Sequence, residues 1–344
     1  MPCSYSADTM LPDQHSLHWL KLAANDTPET QRLLGAVDYG LYGDSTADCL
    51  VATPVLANFP VARTAWLGRG PVSSGTHGPL HYRHNDDLLF GYLRPESTTN
   101  DAGSVGLEQL SFDAYCAIFG LMTATGFPWL ARCWNYIPHI HAMEEGLERY
   151  QQFNIGRQRA FRQAGQAYLD GAPAASALGT RSGTLGLYFI ATRIQPLPIE
   201  NPRQISAFRY PRRYGPCSPT FSRALLLPFD DLDALFISGT ASIVGHESRH
   251  PGNASLQTAE TLHNIDALVE QANRLARGGG FSSQALQFKA YVRHNSDRDG
   301  IAATVHGLLG QDADVTWLEA DVCRSELLVE IEAFATRPVQ GTPP

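Results

Sequence analysis

Apolar positions along the chain alternate between two spacings, and the changes of spacing mark out its elements. Residues 107–126, LEQLSFDAYCAIFGLMTATG, carry apolar side chains at helical intervals and stop on Gly126. WLARCWNYIPHI (129–140) reads as a strand and EEGLERYQQFNIGRQRAFRQA (144–164) as a second amphipathic helix. GLYFIATR (186–193) and ISAFRY (205–210) read as further strands. The second half repeats the order. ALFISGTASIVG (234–245) is a strand or a tight pair of strands, and AETLHNIDALVEQANRL (259–275) a helix with Leu262, Ile265, Leu268 and Ala272 on one stripe. ALQFKAYVRH (285–294) is a strand, GIAATVHGLLG (300–310) a helix, and VTWLEADV and ELLVEIEAF close as strands. Helix, strand, helix, strand, strand thus occurs twice, which predicts an α+β fold of two pseudo-duplicated units, each a sheet backed by two helices. The expected division is 1–225, with extra N-terminal strands and loops, and 226–344. No low-complexity linker separates the halves, so they are expected to pack as one body.

The last predicted strand breaks its own pattern. With period two, Leu327, Val329, Ile331 and Ala333 share one face, and Leu328, Glu330, Glu332 and Phe334 the other. Two carboxylates beside Leu and Phe do not read as a solvated face. A buried carboxyl loses its charge more readily, so Glu330 is a candidate proton donor at neutral pH.

Composition narrows the choice of chemistry. The formal net charge is −8, which argues against nucleic acid or an anionic membrane as partner. No run of about 18 apolar residues marks a membrane span, and the N-terminus has no secretory pattern, so a cytoplasmic location is expected. The six cysteines are scattered without a CxxC pair, as for reduced thiols. Lysine occurs only at 21 and 289, so a bound anion would meet guanidinium groups, whose forks suit carboxylates. FRYPRRYGPCSPTFSRALL (208–226) gathers Arg209, Arg212, Arg213 and Arg223 with Tyr210 and Tyr214, as either a solvated loop or a pocket for a carboxylated ring; Arg157 could join it.

HESRH (246–250) matches HExxH formally, but it follows a strand and runs into Pro251-Gly252, where a zinc-binding helix could not continue. It is expected to be a polar loop. His139 and His141 of PHIH lack a third ligand nearby, and there is no GxSxG, P-loop or GxGxxG. No metal or nucleotide cofactor is expected.

Residues 228–335 resemble the RidA/YjgF fold in FISGTASIVG, AETLHNIDALVEQA and DVCRSELLVEIEAFA. The position seven before Arg324, where RidA deaminases carry an arginine, is Trp317, so that pocket is not kept. RCWNYIPHIH, FNIGRQRAF, RYGPCSPTFSRA, FISGTASIVGHES and DVCRSELLVEIE together resemble the chorismatases of the FkbO and Hyg5 type, chiefly the hydroxybenzoate-forming branch that includes pigment-pathway enzymes. This resemblance implies removal of the enolpyruvyl group of chorismate as pyruvate, giving 3-hydroxybenzoate together with 4-hydroxybenzoate. It implies Glu330 as proton donor, Arg157 and Arg223 as carboxylate holders, and Tyr210, Tyr214 and Tyr150 as ring and ether contacts. Cys323 matches the cysteine linked to hydroxybenzoate formation, and Ala241 stands where the family varies between alanine and glycine. Hydrolysis to a dihydroxycyclohexadiene carboxylate and non-catalytic carboxylate binding are the rival readings. RidA proteins are trimers with sites between subunits; two units in one chain could frame a site alone and remain monomeric.

Overall fold

The computed structural model describes residues 17–22, 31–40, 49–56, 62–93, 106–167 and 169–339. Two six-stranded sheets dominate it. The first runs Ala174–Thr180, Trp129–Pro138, Gly186–Thr192, Leu88–Leu93, Leu80–His84, Ser73–His77. The second runs Asp314–Glu319, Gln287–Val292, Val329–Pro338, Leu232–Ala241, Ala224–Pro228, Leu197–Ile199. Taken in chain order the two are wound alike: three antiparallel strands, a helix, a strand, a helix, two strands. In each, only the pair flanking the second helix is parallel. The duplication expected from the sequence is therefore present.

A division after residue 225 would cut the strand Ala224–Pro228, whose partners on both sides lie in the second sheet. Strand pairing instead groups 73–192 and 197–338. A smaller sheet, in the order His18–Leu22, Ala62–Leu67, Leu33–Tyr39, Cys49–Val51, precedes both units.

Helices α1 (Leu107–Thr125) and α2 (Arg149–Gln163) cover the outer face of the first sheet through Tyr115, Ile118 and Phe161. Helices α3 (Ala254–Leu275) and α4 (Arg298–Leu309) cover the second through Ile265, Leu268 and Ile301. The inner faces meet in a third core that the small sheet closes with Leu34, Val37, Tyr39 and Trp66. Trp66 packs edge-on to Phe334 at 5.0 Å between centroids, and Phe334 lies 4.8 Å from Phe236. This layering explains the last strand. Val329, Ile331 and Ala333 point into the helix-backed core, while Glu330, Glu332 and Phe334 face the other unit. Both faces are buried, so the strand's polar face is not a wet one.

Two expected elements differ locally. Residues 144–148 are not helical: Gly146 at φ 81° closes a short hairpin of Met143–Glu144 with Leu147–Glu148, and α2 starts at Arg149 behind a capping box of Glu148 and Gln151. ISAFRY is not a strand. Ala207–Arg209 form one 3₁₀ turn ahead of Pro211, within an excursion from Glu200 to Arg223 between two strands of the second sheet.

Candidate active site

The catalytic candidate sits in the middle of the second sheet. In register, Glu330 lies opposite Ala241 on one neighbouring strand and Tyr291 on the other. Its carboxyl occupies space that exists because residue 239 is glycine: a Cβ there would overlap Glu330 Oε1. Among the described residues no side chain donates a hydrogen bond to this carboxyl. Burial is the main cause that pushes its pKa up to about 8, with the Glu332 charge adding to the rise; Arg132 and Arg223 oppose it. At neutral pH the protonated form of this buried carboxyl predominates.

Glu332, two residues on, has the opposite character. It accepts hydrogen bonds from Arg132 Nη2 (2.7 Å), Trp134 Nε1 (2.8 Å), Ser176 Oγ (2.6 Å) and Lys289 Nζ (2.9 Å). Lys289 and Arg132 outweigh the effect of burial and hold its pKa below the ordinary value. Lys289 in turn reaches Tyr39 Oη at 2.9 Å, and Tyr39 shares a 2.6 Å hydroxyl bond with Tyr188. One strand thus presents a neutral carboxyl and an ionised one.

Glu330 opens onto a cavity of about 250 Å³ lined by Tyr150, Tyr210, Tyr214, Arg223, Ala241, Cys323 and Arg324, with Phe221 and Gly239. An annex of about 40 Å³ shares Glu330, Cys323 and Tyr150 and adds Arg157, Asn135 and Asn154. Seven of the eight candidate residues from the sequence therefore line the cavity, and the eighth, Arg157, lines the annex that shares Glu330 with it. Elements far apart in sequence position them. Tyr150 and Arg157 project from α2, Tyr210 and Tyr214 from the 200–223 excursion, and Cys323 and Arg324 from the turn before the last strand.

The guanidinium groups leave donors spare. Arg157 donates Nη1 to the Thr220 carbonyl and lies 4.9 Å over the Tyr115 and Phe161 rings, yet its buried Nε and Nη2 have no partner. Arg223 donates Nη2 to Tyr210 Oη (2.7 Å) and to the Ile205 carbonyl, and its Nε has none. Arg324 donates Nη1 to the His246 carbonyl and stacks 3.9 Å over Tyr214, and its Nη2 has none. Buried donors without acceptors cost stability, so Arg223 and Arg324 at the cavity and Arg157 at the annex mark where anionic oxygens would sit. Burial, followed by the nearby Glu330, pushes the Cys323 thiol up to about 12. It is a neutral wall of the cavity and not a thiolate nucleophile. Tyr150 is likewise held well above its ordinary value, by burial first.

Arg324, Phe221 and Gly239 escaped the sequence reading. Arg324 adjoins Cys323, and that adjacency was the available signal. Arg209 and Arg212 do not line the cavity; Arg213 does, bonding Tyr214 Oη and His246 Nδ1 at 3.0 Å. HESRH is not helical. Glu247–Ser248 pair with Ile243–Val244, and α3 begins only at Ala254 with Asn253 as its cap. His139 and His141 do not share a strand face, because the strand ends at Pro138 and His139 turns at φ 51°. His141 instead bridges Glu148 Oε1 and the Val322 carbonyl.

Comparison with known proteins places this architecture. The family described as "Chorismatase FkbO/Hyg5-like, N-terminal" matches residues 64–191. A chorismatase of Streptomyces rapamycinicus is 38% identical over 328 residues, 91% of this chain and 95% of that protein. A 3-hydroxybenzoate synthase of Streptomyces hygroscopicus is 35% identical, covering 89% of this chain and 92% of that one. The crystal structure of a chorismatase superposes with a TM-score of 0.83 at 29% identity, over 93% of this chain and 98% of the other. The chain therefore belongs to the chorismatase family of the FkbO/Hyg5 type.

Proposed function

We propose that the protein converts chorismate to 3-hydroxybenzoate, with 4-hydroxybenzoate as companion product, and releases pyruvate. The observation that carries this reading is a protonated, buried Glu330 facing a cavity ringed by unpartnered arginine donors. Chorismate suits it, with two carboxylates, a flat ring and an acid-labile enol ether. The family relatives named as chorismatases and as a 3-hydroxybenzoate synthase support the same substrate class.

Glu330 gives its proton to the enolpyruvyl methylene, and an oxocarbenium ion forms at the ether carbon. The bond between ring C3 and the ether oxygen breaks as the pyruvate carbonyl forms. The ring 4-hydroxyl attacks C3, loses its proton, and closes an arene-oxide-like species. Opening at C4 leaves oxygen on C3, and loss of the C3 hydrogen restores aromaticity as 3-hydroxybenzoate. Opening at C3 gives the 4-isomer. No water is consumed; Phe221, Tyr210, Ala241 and a neutral thiol supply the apolar part of a wall that is otherwise polar. Arg157 and Arg223 take the carboxylates, and Arg324 offers a third donor.

The test is incubation with chorismate and chromatography with mass detection. Hydroxybenzoate and pyruvate in equal amounts are expected. The diene diol with pyruvate would move the protein to the hydrolytic branch, and chorismate decaying only at its spontaneous rate would overturn the enzymatic reading.

A further inference from the structure

The residue beside the proton donor has its own task. Glu332 lies on the same strand face as Glu330, about 7 Å along the chain, and does not line the cavity. Around it stand two buried cations, Arg132 and Lys289, against its one negative charge. Ser176 ties the group to the donor's seat: it donates to Glu332 Oε2, accepts from Arg132 Nη2, and accepts the Gly239 backbone N–H at 3.0 Å. Gly239 is the residue whose missing side chain makes room for the Glu330 carboxyl.

We infer that Glu332 is a positioning residue that keeps the proton on Glu330, by compensating Arg132 and Lys289, whose uncompensated charge would otherwise favour the ionised form of Glu330. The inference rests on the assignment of Glu330 as general acid. The other groups facing Glu330 do not supply this compensation. Arg213, Arg223, Arg324 and, in the annex, Arg157 are cations that favour its ionised form, and Cys323 and Tyr150 are neutral. Tyr291, opposite it in register, turns its hydroxyl to Tyr136 at 2.9 Å. The acids at the cavity rim, Glu148 and Glu326, are occupied by His141 and Ser248. Glu332 is the anion that shares the donor's buried wall.

The experiment reads Glu330 directly by carbon NMR of protein labelled at the glutamate carboxyl carbon, with the E330Q spectrum identifying its signal. In E332Q the titration of Glu330 is expected to move down by about one to two pH units. In K289M it is expected to move up, and in E332Q/K289M, which restores the net charge of the cluster, to return toward the wild-type position. The alkaline limb of kcat/KM for pyruvate release should move in the same order. An unmoved Glu330 titration in folded E332Q, or a K289M shift downward, would overturn the inference; if E332Q does not fold, K289M and the double variant decide it. Because the NMR titration needs no turnover, an inactive wild type would refute the proposed function while leaving this result readable.

Discussion

Two neighbouring stretches of the interface between the units are built from the same materials and end up opposite in kind. Around Glu332 carboxylate, guanidinium, ammonium, indole and hydroxyl groups satisfy one another without leaving a cavity. Around Glu330 the same types of group are left partly unmade: a carboxyl without a donor, and arginine nitrogens without acceptors. The first arrangement holds the units together. The second stores unmet hydrogen-bonding capacity that a dianionic ligand can satisfy. Buried charge alone therefore does not mark a site; incomplete pairing around a cavity does.

The largest effect that would break this contrast is expected from E330Q. Pyruvate release should fall by at least about 10³-fold, as for loss of an obligatory general acid. The folded-state pKa lies above the ordinary 4.5, so the native state holds a proton that the unfolded chain releases, and stability is lost as pH rises from about 4.5 to about 8. E330Q lacks that loss. Its unfolding midpoint should exceed the wild type's at pH 8 and converge with it toward pH 5; equal midpoints at both pH values would show that Glu330 is not held protonated.

G239A should come next. The added methyl displaces the carboxyl, and kcat/KM is expected to drop by about 10²-fold or more while circular dichroism stays native. R157M should cost about 10²-fold in kcat/KM, mostly through KM, and change stability by no more than about 1–2 kcal/mol, because removal of two unpartnered buried donors offsets loss of the bond to the Thr220 carbonyl and of the stacking on Tyr115 and Phe161. A marked loss of stability would transfer Arg157 to the structural side of the comparison. W134F probes that side from within: it removes one donor to Glu332, and about 2 kcal/mol of unfolding free energy should go while kcat/KM changes only a few-fold. The smallest effect is expected from C323A, which alters the cavity wall and not the donor. The product mixture should shift toward diene diol while total pyruvate release stays within about tenfold; an unchanged mixture would remove Cys323 from product choice.

Much of this was legible in the chain. The alternation of 327–334 gave both faces of the last strand correctly, and the Leu and Phe flanking the two glutamates signalled burial. Pro251 was enough to deny HESRH a helix. What could not be read was pairing at a distance. Nothing local to Glu332 announces Arg132, 200 positions earlier, and Lys289 stood out only by rarity. Residues 144–148 adjoin a stretch of helical apolar spacing, yet positive φ at Glu145 and Gly146 turns them into a hairpin, a decision taken by backbone geometry that hydrophobic period does not encode. ISAFRY went astray for a related reason: Ala207–Arg209 close a 3₁₀ turn ahead of Pro211, and Tyr210 turns to the cavity instead of to a strand neighbour. Glu330 came from the strand pattern and Arg157, Arg223, Tyr210 and Tyr214 from the clustering of arginine and tyrosine; Tyr150, Cys323 and Ala241 came from resemblance, and the convergence of all eight from the way two units close on each other.

The central place of Val329–Pro338 also has a consequence for biosynthesis. This strand pairs with both Leu232–Ala241 and Gln287–Val292, so the second sheet lacks its middle until these residues emerge from the ribosome. The first sheet can close once the chain has been made to Thr192. During the interval Arg132 and Trp134 have no carboxylate to meet, and the inner aromatic surface of the first unit stays uncovered. Nascent chains halted between these points should bind chaperones through that surface, and completion of a single strand should release them and bring Glu330 to the cavity in the same step.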